Sequence, residues 1–89
     1  MIALRTGAMP ETSPGTFEVS TLVIDNRGDD PIELDWVDFE GHLTRYSSLE
    51  PGTSLTQSTF VGHVWAVSQN GRRLGWFAAP AGRGKLVLP

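Results

Sequence analysis

Only two histidines occur in the 89-residue chain, and one of them, His63, stands in the β-branched run FVGHVWAV two positions before Trp65. Residues two apart on an extended strand point to the same side, so imidazole and indole share a face. If Phe60-Val61-Gly62 forms a three-residue hairpin loop ending in a left-handed glycine, Thr59 falls opposite His63 and Gln57 opposite Trp65. Hydroxyl, imidazole, amide and indole then lie together. Such a cluster can cover an apolar ring with aromatic surface while donating to and accepting from one polar group. The competing reading is that Trp65 fills the core and His63 is a rim residue with a local hydrogen bond.

Other chemistries fit less well. A nucleophile built from Thr59 and His63 needs a carboxylate to orient the imidazole and an oxyanion-stabilising turn, and the sequence fixes neither, so no enzyme is expected. Asp38, Glu40 and His42 in DFEGH can be drawn as metal ligands, but a tight turn points such side chains into solvent. EPGTSLTQS and GRGK lack the spacing and the following helix of a phosphate loop. No metal or cofactor is expected. Trp36, Trp65 and Trp76 could instead stack on a sugar, which makes a carbohydrate or another protein partner the alternative ligand.

The composition bounds the molecule that carries these residues. Its length suits one domain with a small core, in which folding buries roughly 60–65% of the unfolded surface. Cysteine is absent, which excludes disulfides and fits a reducing compartment. A formal charge of -3 and a pI near 5.1 argue against a nucleic-acid partner. Arg72, Arg73, Arg83 and Lys85 read as solvated surface. The opening MIALRTGAMPETSPG has no continuous apolar segment, and no run reaches membrane-spanning length, so a cytoplasmic protein without a membrane partner is expected.

The elements that must position the cluster read as strands. Residues 1–15 are small, polar and proline-bearing, and suggest a mobile arm ahead of a domain spanning 16–89. From Phe17 onward the period is two: FEVSTLVID, IELDW, LTRY, SLTQSTF, HVWAVS, LGWFA and KLVLP are strands. NRGDDP, DFEGH, SSLEPGT and APAGRG separate them, and Asn70-Gly71 has the preference of a type I′ hairpin. Seven short strands without a convincing helical segment predict an all-β, antiparallel β-sandwich.

The stretch from Phe17 to Pro89 resembles the β domain of the von Hippel-Lindau tumour suppressor family. The resemblance rests on NR in the first turn, W-x-x-F-x-G at Trp36, Phe39 and Gly41, Tyr46, L-x-P-G-T at Leu49–Thr53 and GHVW at Gly62–Trp65, all without gaps. It implies a seven-stranded sandwich that captures a 4-hydroxyproline side chain from an extended peptide. Carried over by position, the pocket is Trp36, Tyr46, Thr59, His63 and Trp65. Thr59 stands for the family serine at the prolyl hydroxyl, and His63 for the second hydroxyl contact. Flanking Gln57, Ser58 and Phe60 differ in character from the family, which implies a changed peptide preference, with Ser58 and Phe60 at the peptide-binding rim. Two buried hydroxyl partners imply discrimination against plain proline by about two to four decades. The family continues into a helical domain that docks elongin C and a cullin ligase. This chain stops at Pro89, so that assembly is not expected.

Overall fold

The computed structural model describes residues 1–89. Seven strands form in chain order: β1 (Val19–Asn26), β2 (Ile32–Val37), β3 (Leu43–Leu49), β4 (Ser54–Phe60), β5 (Val64–Gln69), β6 (Arg72–Ala78) and β7 (Gly82–Leu88). They divide into a three-stranded sheet, ordered β4-β1-β7, and a four-stranded sheet, ordered β3-β2-β5-β6. No helix is long and apolar enough to cross a membrane.

Alternation explains the layers. In β1 the even positions Leu22 and Ile24 are fully buried while the odd ones are half exposed. Their partners across the gap include Leu34, Trp65, Val67 and Phe77, and with Leu86 from the neighbouring strand β7 they form much of the main core. Buried Asn26 closes one end: its amide donates to the carbonyls of Asp30 (2.9 Å) and Leu49 (3.0 Å) and accepts from the Gly28 amide (3.1 Å). The NRGDDP turn is thus fixed by its own first side chain, as Asx turns are. At the β5–β6 hairpin Asn70 (φ 53°) and Gly71 (φ 76°) adopt the paired left-handed conformation of a type I′ turn.

Three expectations about connectivity change. The β1–β7 pairing is parallel, whereas the other pairings are antiparallel. A parallel pair needs a crossover, and here the intervening strands supply it. Secondly, β4 and β5 are not a hairpin: β4 pairs with β1 and β5 with β2 and β6, so the Thr59–His63 and Gln57–Trp65 pairs do not exist. Phe60–His63 is instead a tight corner passing between sheets, closed by the His63 amide on the Phe60 carbonyl (3.0 Å). The third change concerns the arm.

Residues 1–15 lie against the sandwich edge. The Ile2 amide donates to Lys85 on β7, and Arg5 exchanges two backbone bonds with Trp76 on β6. Ile2 and Leu4 pack on the main core, and Met9 covers a second cluster of Val37, Val64 and Trp76. Gly75 permits this approach, since a Cβ there would sit 2.7 Å from the Arg5 carbonyl oxygen. β5 is therefore buried on both faces, which explains its unbroken apolar run Val64–Val67.

Candidate functional site

The corner after β4 brings two sheets' side chains to one cavity. Its walls are Trp36, Phe39, Tyr46, Ser58, Thr59, Phe60, His63 and Trp65, and its volume is about 160 Å³. Small-molecule sites run to roughly 300–1,000 Å³, so this one is sized for a single side chain. Every residue expected at the site lines it. Gln57, expected on the same face through the hairpin register, does not; its amide turns to the Ser58 carbonyl (2.9 Å).

Each wall has a structural cause. Trp36 and Trp65 are directly opposite across β2 and β5. Trp65 is 1% exposed and belongs to the main core, so the choice between core and pocket was not exclusive: its body packs inward while it borders the cavity. Tyr46 is the odd residue of a β-bulge, for Asp35 pairs with Arg45 and Leu34 with Ser47. The bulge frees its ring to meet Trp65 edge-on at 5.0 Å and Trp36 at 6.1 Å. Beside it, Arg45 Nε holds the Asp35 carboxylate at 2.5 Å, which raises the guanidinium's pKa further. Phe39, absent from the expected site, meets Trp36 (5.3 Å) and His63 (5.5 Å) edge-on. Its signal was its place three residues after Trp36, in the turn where Asp38 accepts the Glu40 and His42 amides. That capping role occupies the carboxylate drawn above as a metal ligand.

Two polar groups lie at the back. The Trp65 indole donates to Thr59 Oγ1 at 3.2 Å, leaving the buried hydroxyl its own proton to donate. The Trp36 indole donates to His63 Nδ1 at 3.2 Å, with the ring planes within 23° of parallel. An indole nitrogen can only donate, so Nδ1 is unprotonated and the neutral ring carries its hydrogen on Nε2. His63 is 4% exposed, and Nε2 is buried without a partner. Burial pushes the imidazole's pKa below its ordinary value, and the nearby Pro14 carbonyl offsets part of that shift although it makes no well-formed bond to Nε2. The aromatic box thus holds one free donor, the Thr59 hydroxyl, and one acceptor, His63 Nδ1, that the Trp36 indole already occupies.

Around this box the surface stays apolar. Phe17, Phe39 and Phe60 are 90%, 55% and 38% exposed, and with Gly15, Thr16 and His63 they line an adjoining cleft. Trp76 has no open face: it is buried among Val37 and Val64, with its indole on the Gly7 carbonyl (3.0 Å) and Arg5 over its ring. Trp76 is therefore not placed to stack on a sugar beside Trp36 and Trp65. Residues 13–73 match the family model of the VHL beta domain. No curated protein matches the chain.

Proposed function

The chain belongs to the VHL beta domain family, and on that premise we propose that it is a peptide-binding module whose aromatic box receives a 4-hydroxyproline side chain. The observation that carries this reading is the pair of buried polar groups, Thr59 Oγ1 and His63 Nδ1, inside walls that otherwise suit a pyrrolidine ring. Thr59 donates to the prolyl hydroxyl oxygen, and that hydroxyl donates in turn to His63 Nδ1. To do so it takes the place of the Trp36 indole. β4 carries Ser58, Thr59 and Phe60 and is an edge strand, bonded only to β1. An extended peptide can pair with that open edge while one side chain enters the box. Phe17, Phe39 and Phe60 then favour an apolar residue beside the captured ring.

The size of the preference follows from the bonds exchanged. A plain proline leaves the Thr59 donor covered and unpaired, at about 1–3 kcal/mol. His63 is not orphaned by it, because Trp36 keeps Nδ1 satisfied. Discrimination of about 10- to 100-fold is therefore expected, smaller than two independent orphaned groups would give. Calorimetry with matched peptide pairs, hydroxylated and not, flanked by apolar residues, measures it. His63→Ala should reduce the ratio while leaving the proline peptide's affinity near its starting value. Equal affinity within every pair would remove the hydroxyproline reading and leave a family domain with another ligand.

A further inference from the structure

Ser13 is 3% exposed, although the segment around it is open to solvent. Its hydroxyl donates to the Val37 carbonyl (2.5 Å) and accepts from the Val64 amide (2.8 Å). These two groups belong to β2 and β5, whose pairing runs from Glu33–Ser68 to Trp36–Trp65 and stops there. Val37 and Val64 would form the next pair. The hydroxyl of Ser13 is thus inserted where the two strands separate, relaying a bond that they no longer make directly. Just past the separation lie Phe39 on one side and His63 on the other, both of which line the aromatic box.

The neighbours of Ser13 hold the same corner. Thr16 Oγ1 donates to the Val61 carbonyl (2.5 Å), and the Val61 amide donates to the Glu18 carbonyl (2.8 Å). The Pro14 ring lies 3.1 Å from where a Cβ on Gly62 would stand. Residues 13–18 thus bond to Val61 and Val64 and crowd Gly62, and the Pro14 carbonyl also lies near the His63 ring. The His63 backbone is fixed instead by Phe60 and Ala79, and its side chain has a bond only to Trp36.

We infer that Ser13 is a positioning residue for the pocket: by bridging Val37 and Val64 it sets the gap between β2 and β5 in which the His63 imidazole meets the Trp36 indole. The inference rests on the hydroxyproline reading for its consequence, since a misplaced Nδ1 cannot accept from a ligand hydroxyl. It does not need that reading for its test. The Ser13–Val64 bond, between residues 51 apart in the chain, makes the N-terminal arm a support behind the pocket as well as a cover.

The test compares Ser13→Ala with Ser13→Thr, which keeps the hydroxyl. In the ligand-free protein, nitrogen-detected magnetic resonance reads the His63 tautomer and the Trp36 indole proton directly. Ser13→Ala should shift both resonances toward those of an unpaired ring, and Ser13→Thr should restore them. With matched peptides, Ser13→Ala should lower the hydroxyproline-to-proline affinity ratio about five- to ten-fold, while the proline peptide binds as before. Ser13→Cys, nearly isosteric and a weaker hydrogen-bonding group, replaces the alanine variant if that one lacks a dispersed native spectrum. Unchanged His63 and Trp36 resonances in the hydroxyl-deficient variant overturn the inference. Equal disturbance by Ser13→Thr overturns it too, because packing and not the bond would then be responsible. If no wild-type peptide pair is discriminated, the function proposed above fails, and the resonances still decide the role of Ser13.

Discussion

At the residue scale, His63 Nδ1 has one lone pair, and the Trp36 indole occupies it until a better donor arrives. Protonation of the ring replaces that lone pair with a hydrogen and sets two donors against each other. The folded-state pKa is lowered by burial, so the unfolded chain, near 6.5, binds the proton more readily than the folded one. Stability from this group is complete above about pH 6.5 and falls as the pH drops toward the lowered folded value. Asp25, held low by Ser54, and Asp38, held low by the His42 amide, lose their contributions only in the carboxylate range, below about pH 4. Urea midpoints measured from pH 7.5 to 5 should therefore decline with His63 as the source, and His63→Gln should flatten the curve over that window. Thr59 carries a second consequence. Besides facing the ligand, Thr59 Oγ1 is the acceptor for a buried indole N–H. Thr59→Val should lose about 1–3 kcal/mol of stability in chemical denaturation, and Thr59→Ser should lose far less.

At the element scale, local pattern is clearest where burial alternates, as along β1 and β4: SLTQSTF coincides with β4, and Asn70-Gly71 turns as its residue types require. Pairing was beyond local pattern. A glycine-ended turn such as Phe60-Val61-Gly62 suits a hairpin loop and an inter-sheet corner equally, and the choice falls to the distant ladders β1–β4 and β2–β5. Thr59, His63 and Trp65 line one cavity although no β4–β5 ladder exists, since a corner between facing sheets also brings its two flanks together, while Gln57 falls outside it. Tyr46 was reached through family resemblance, because a bulge leaves no mark in a period-two reading. Gly62 is where the corner is most exposed to substitution. It sits at φ +85°, and an added Cβ would press on Pro14. Gly62→Ala should cost about 1–2 kcal/mol for the left-handed backbone, with the contact in addition. Gly71→Ala (φ 76°, open space) pays the backbone part only. Denaturation midpoints separate the two, and only Gly62→Ala should also change the peptide affinity ratio.

At the scale of the whole molecule, a small domain has little stability in reserve, about 4–13 kcal/mol at this length. The N-terminal arm contributes to it in a way its composition concealed. Residues 1–15 contain too few apolar side chains to predict docking, and the glycines that receive Arg5 and Ile2, Gly75 and Gly84, lie 70 or more residues later, on β6 and β7, the outer strands of different sheets. Removing residues 1–8 would uncover the backbone groups of Trp76 and Lys85 that now bond to Arg5 and Ile2. It would also expose the core surface beneath Ile2 and Leu4 and leave the buried Trp76 indole without the Gly7 carbonyl. Two partly buried aliphatic side chains and a few net hydrogen bonds amount to about 2–4 kcal/mol. The truncated protein should therefore remain folded but melt earlier. Uncovered strand edges also invite pairing between molecules, and β6 and β7 would both become open. Analytical ultracentrifugation should detect concentration-dependent association in the truncated chain that the full chain lacks at the same concentrations. Because Ser13 and Thr16 are retained, the His63 resonances should stay close to those of the full chain. A truncated chain as stable and as monomeric as the full one would show that the arm covers these edges without contributing to the fold.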